Sequence, residues 1–175
     1  MHTNLDPYDY VRDNKDYSDL VAKGQSILPD LESALDASPN DGLVAYMIAI
    51  AIEDITGTDI RTDFAVSWDT PNTFLDAWGS FVESVPDQIV TILDSDDTKS
   101  GKVEKLKKYG VLAIPTLDQN RSKVAEQNAI GQYFCNLVRE HTKQNWKDSR
   151  NIDLEIAHNM VSKEFSSLYS YVYRN

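Results

Sequence analysis

LVAKGQSILPDL (residues 20–31) and LKKYGVLAIPTL (residues 106–117) share one skeleton: Leu, three residues, Gly, three residues, Leu or Ile, Pro, one residue, Leu. In the first copy Leu20, Gly24, Ile27, Leu28, Leu31 and Leu35 fall on one stripe of a helix. In the second, Leu106, Gly110, Ala113, Ile114 and Leu117 repeat that stripe. Proline has no N–H, and its ring meets the carbonyl four residues back, so the spacing predicts a kink or break at Pro29 and at Pro115. An interior Gly costs roughly 1 kcal/mol and an interior Pro about 3. Their joint recurrence predicts a packing reason, with each Gly letting another helix come close. The alternative is that Gly and Pro mark loops.

The copies lie 86 residues apart, and the likeness continues beyond them. Leu43, Val44, Met47, Ile48, Ala51 and Ile52 fall opposite Ala129, Ile130, Tyr133, Phe134, Leu137 and Val138, both sets apolar at helical spacing. Each copy therefore reads as a kinked helix, a turn and a second apolar helix. Eighty-six is twice 43, and two-helix repeats run at about 40–47 residues.

On these residues LVAKGQSILPDLESALDASPNDGLVAYMIAIAIEDITG (residues 20–57) resembles a HEAT-like repeat, with an aliphatic-Pro-x-Leu step, a polar turn and an apolar second helix. The resemblance covers about residues 17–57 and, less closely, 103–143. Asp41 stands for the acid of the turn, and no Arg follows it. The resemblance implies stacked helical hairpins and a protein-binding scaffold rather than an enzyme.

Helix punctuation supports an all-α fold of about seven or eight helices. Ser38-Pro39-Asn40-Asp41 has the form of a helix start, and Gly57 that of a left-handed cap after Thr56. Thr70-Pro71-Asn72-Thr73 starts another helix, whose apolar face is Phe74, Trp78, Phe81 and Val82. Pro86 is expected to open a further helix, to Leu93. Asp94–Lys102 reads as a polar loop, and the last helix as running from about Ile152 to Tyr173. Only Phe64–Trp68 hints at a strand. At 175 residues the chain is expected to be one domain.

Charge is distributed unevenly. Residues 1–100 carry 20 acidic and 5 basic side chains, and residues 101–175 carry 8 and 12, within a net charge of −11. The acidic part would repel phosphates, so direct nucleic-acid binding there is not expected, while a basic protein would be steered towards it. The longest apolar run, Leu43–Ile52, has ten residues; a membrane span needs roughly twenty, so no membrane partner is expected. The single cysteine, Cys135, excludes an internal disulfide. The first twenty residues lack the basic and apolar regions of a signal peptide, and a cytoplasmic location is expected.

Chemistry-bearing patterns are sparse. Glu155 and His158 share a helix face at the spacing used in di-iron bundles, but such sites need a second pair and two further Glu. Asp96 begins a calcium-like loop with Gly101 at position six, yet Lys107 stands where the closing Glu belongs. Cys135 reads as core, and His141 has no nucleophile motif beside it. Glu53 and Asp54 end an apolar helix where its dipole disfavours carboxylates, so they are expected to face solvent or meet a cation. Tyr8, Tyr10, Tyr17, Tyr169, Tyr171 and Tyr173 read as core-edge residues. No cofactor or metal ligand is expected.

The remaining candidate is a partner surface: Asp54, Asp59, Asp63, Asp69, Asp76, Glu83 and Asp87, with Trp68 among the interleaved aromatics. By type the chain is similar to bacterial toxin immunity proteins, which implies a non-catalytic inhibitor whose acidic face occludes a basic partner such as a nuclease. The other readings are a small metal-dependent enzyme acting on nucleotides, and a nucleic-acid mimic or regulator.

Overall fold

The computed structural model describes residues 6–38, 41–142 and 152–174. These residues form twelve α-helices and two 3-10 turns, with no strand among them. By contact density the chain divides into two compact units, residues 1–81 and 82–175.

The first unit holds α1 (Pro7–Val11), α2 (Lys15–Val21), a 3-10 turn (Gly24–Ile27), α3 (Leu28–Asp36), α4 (Leu43–Thr56) and α5 (Ile60–Phe64). The twenty-four-residue α6 (Pro71–Asp94) begins there. Helix α4 is apolar almost all round, and α1, α2 and α3 pack on it. Ala45, Ala49 and Ala51, all buried, keep its flanks narrow enough for three neighbours. An aromatic cluster closes the unit. Trp68 meets Phe74 edge-on with ring centroids 4.9 Å apart, Phe74 stacks on Trp78 at 5.5 Å, and Phe64 lies 4.7 Å from Phe81.

The second unit continues with α7 (Lys99–Lys107), a second 3-10 turn (Gly110–Ala113), α8 (Ile114–Gln119), α9 (Arg121–Ala125), α10 (Asn128–His141), α11 (Leu154–Glu164) and α12 (Ser166–Val172). Here α10 is the central helix, packed by α7, α8, α9 and α11. The stretch Val111–Asp118 is buried throughout.

The 86-residue spacing survives in the backbone. α2 ends at Val21 and α7 at Lys107; the 3-10 turns begin at Gly24 and Gly110; α3 and α8 begin at Leu28 and Ile114. The chain therefore breaks rather than kinks, and each Pro sits in the first turn of a new helix, where its missing N–H would have had no partner. The glycines have a different cause from the one their spacing suggests. A Cβ on Gly24 would meet nothing within 4 Å, so no helix approaches it. Its φ is +75°, and that of Gly110 is +52°, the left-handed region that a side chain disfavours.

Several boundaries differ from the sequence reading. Pro39 and Asn40 lie outside the described residues, and α4 starts at Leu43 after Gly42, while Asp41 accepts a hydrogen bond from the Asn72 N–H (3.1 Å). Pro86 does not open a helix but lies inside α6. Its missing hydrogen bond costs about 3 kcal/mol. Val82, Val85 and Ile89, all fully buried, outweigh that at roughly 1.5–3 kcal/mol each. The polar loop is shorter than expected, because Thr98 caps α7 by accepting from the Gly101 N–H at 3.1 Å. The last helix is two, divided at Phe165, which leaves helical geometry (φ −117°, ψ 19°) and is fully buried. Phe64 ends α5, and no strand follows it. Two expectations stand: Gly57 caps α4 at φ +71°, and Thr70 and Thr73 exchange side-chain-to-backbone bonds at the start of α6.

Candidate functional site

Acidic side chains gather in the first unit where α4 ends and α5 begins. Gly57 turns the chain in left-handed geometry, and Asp59 caps α5, its carboxylate accepting from the Thr62 N–H (3.0 Å) and hydroxyl (2.9 Å). This turn brings the last acids of one helix beside the first acids of the next. Glu53, Asp54, Asp59 and Asp63 line one depression of about 250 Å³, with Tyr8, Ile50 and Thr58.

Glu53 is only 8% exposed. It lies in the last turn of α4, where the dipole is unfavourable, but its side chain reaches the start of α5 and accepts from the Ile60 N–H at 3.2 Å. One helix end repels the carboxylate and the other attracts it. Burial pushes its pKa up to about 7, the charges of Asp59 and Asp54 act in the same direction, and the Ile60 N–H and Arg61 oppose them. The expectation that both acids of the pair face outward is therefore corrected for Glu53. Asp54 is exposed and accepts from the Tyr17 hydroxyl, whose pKa is raised by burial and by that bond.

Among the described residues, no lysine or arginine forms an ion pair with Glu53, Asp54, Asp59 or Asp63. The nearby cation, Arg61, instead donates to the Tyr8 hydroxyl at 2.8 Å and lies 4.2 Å from the Trp68 ring centroid. Thr58 is 1% exposed, and among the described residues its hydroxyl oxygen has no hydrogen-bond partner. Among the described residues no three of His, Cys, Asp and Glu converge closely enough to hold a metal ion.

The structure sorts the sequence candidates. Asp54, Asp59 and Asp63 come together in this depression, and Asp69 lines a neighbouring one with Arg61 and Trp68. Asp76, in the first unit's part of α6, and Glu83 and Asp87, in the second's, are exposed. Trp68 is not an exposed anchor: at 3% exposure it belongs to the aromatic cluster, its ring edge-on to Phe74 where apolar burial holds it.

Elsewhere the pairings are internal. In the second unit Asp118, 1% exposed, accepts from Arg121 (3.2 Å), from His158 Nδ1 (2.9 Å) and from the Tyr169 hydroxyl. An Arg121 nitrogen lies 2.8 Å from the same Nδ1, so Asp118 gathers Arg121 and His158 at one point. His158 thus faces Asp118, and Glu155 stays exposed. In the calcium-like loop Lys105 pairs with Asp97, and Lys123 with both oxygens of Asp94 at 2.7 and 2.9 Å. Cys135 is buried, which raises its thiol pKa. His141 Nδ1 lies 2.9 Å from the Leu137 carbonyl.

No helix among the described residues is long and apolar enough to cross a membrane. Comparison of the chain with protein-family profiles, with curated proteins and with solved structures finds no match in any of the three.

Proposed function

We propose that the protein is a non-catalytic binding module of the immunity or inhibitor kind, whose acidic first unit docks on a basic protein, such as a nuclease domain, and occludes its cationic groove. The observation that carries this reading is the depression between α4 and α5, where four acidic side chains gather and, among the described residues, none forms an ion pair. Unpaired like charges cost stability in the free protein. A cationic surface would offset that cost, speed encounter and favour release of bound counterions.

The reading is tested by measuring association with a panel of basic nuclease domains between about 50 and 500 mM salt, where the screening length falls from beyond ~10 Å to a few ångström. Wild-type protein is expected to bind at least one of them, with an association rate that falls steeply with salt. The variant Asp54→Asn, Asp59→Asn, Asp63→Asn, Asp69→Asn is expected to lose most of that dependence. Salt-insensitive association, equal binding by the variant, or no binding across the panel overturns the reading.

A further inference from the structure

Resting on the reading of the first unit as an acidic docking module, we infer that the depression between α4 and α5 is a socket for one guanidinium group, supplied by an arginine side chain of the partner. Three observations lead there. The first is an excess of acceptors over donors. Among the described residues Glu53 uses Oε1 on the Ile60 N–H and Asp54 uses Oδ2 on the Tyr17 hydroxyl, leaving the other oxygen of each open, while no donor reaches the carboxylate of Asp63. The second is Thr58, a nearly fully buried residue that lines the same depression and whose hydroxyl has no partner among the described residues. Native structures rarely leave such a group unpaired unless something else completes it. The third is the spread of the acids. They do not converge on a point as ion ligands do. A planar group with five donors in a fixed fork meets separated acceptors, whereas an ammonium is a single point of charge. A volume of about 250 Å³ admits such a side-chain head.

Binding would be coupled to a proton. Glu53 is faced by Tyr8 of α1, Tyr17 of α2, Asp54 of its own helix, and Asp59 and Arg61 of α5. With its pKa near 7, Glu53 is mostly protonated at pH 6 and mostly ionised at pH 8. A bound cation favours the ionised form, so the socket gains affinity across that interval, by up to about tenfold.

The probe is N-acetyl-arginine amide, titrated into the full chain and followed by amide NMR shifts. Saturable shifts are expected at Glu53, Asp54, Thr58 and Ile60, with affinity rising from pH 6 to pH 8. The neutral citrulline analogue should give none, and the lysine analogue should bind at least threefold more weakly. Glu53→Gln, close in shape to the protonated acid, should weaken binding about tenfold at pH 8 and flatten the pH profile; Asp63→Asn, at a less buried position, should weaken it about threefold. Asp76→Asn should change nothing. Absence of saturable shifts at 50 mM probe (on the order of the weakest site worth the name), equal shifts with citrulline, or indifference to both Glu53→Gln and Asp63→Asn overturns the socket. If nuclease association is salt-sensitive while the arginine probe fails, the socket falls and the docking module stands. If the probe binds and the nuclease panel does not, the docking module falls and a guanidinium site remains.

Discussion

Glu53 and Asp118 are both carboxylates at under 10% exposure, one in each unit, and they are treated oppositely. Asp118 holds three side chains by its oxygens, among them a guanidinium and a phenol. Glu53 receives one backbone N–H. Desolvation alone costs several kcal/mol per buried charge. Asp118 offsets it with donors from α9, α11 and α12, and so ties those elements together. Glu53 receives less, the Ile60 N–H and the charge of Arg61, and burial raises its proton affinity. A saturated buried acid is a structural fastener; an unsaturated one beside three further acids is open to a visitor.

The largest effect should come from breaking the fastener. Asp118→Ala strands Arg121, His158 and Tyr169, and should cost about 3–5 kcal/mol in urea unfolding followed by circular dichroism. A cost under about 1 kcal/mol would place Asp118 with the surface acids.

Glu53→Gln should act in the other direction. Its folded pKa, about 7, lies above the ordinary 4.5, so the protonated form stabilises the fold below pH 4.5, and that contribution is lost as pH rises through 7. At pH 8 the substitution should stabilise the first unit by about 2 kcal/mol, and near pH 4.5 by almost nothing. Trp68 and Trp78, both in that unit, report it by fluorescence.

Smaller effects test the backbone. Gly24→Ala and Gly110→Ala should each cost about 1–2 kcal/mol because of their positive φ. A close-approach role would require crowding that Gly24 lacks. Tyr17→Phe removes one hydroxyl from Asp54 and should cost about 1 kcal/mol, read by the same fluorescence.

What the sequence made legible was local. Gly57 after Thr56 and the Thr70–Thr73 pair are cap chemistry confined to a few residues, and the structure keeps both. The Gly–Pro skeleton located both breaks, although the reason for each Gly is torsional. What stayed hidden depends on distant neighbours. The break at Phe165 has no glycine or proline to mark it, and the ring there is fully buried. Pro86 looks like a helix start until the burial of Val82 and Val85 before it and Ile89 after it is known. Asp118 gains its partners across 3, 40 and 51 residues, so no motif window holds them. The acidic cluster was half legible: Asp54, Asp59 and Asp63 stood out as acids, while the inward turn of Glu53 required the α4–α5 corner.

The break device shared by the two Gly–Pro segments, a glycine of positive φ followed five residues later by proline, has a consequence for what those segments must have in common. It acts through torsion and a missing amide hydrogen, so it constrains two positions and leaves the rest to drift. One segment leads towards the gathered acids of the α4–α5 corner and the other into the Asp118 clasp, and both follow the same backbone route.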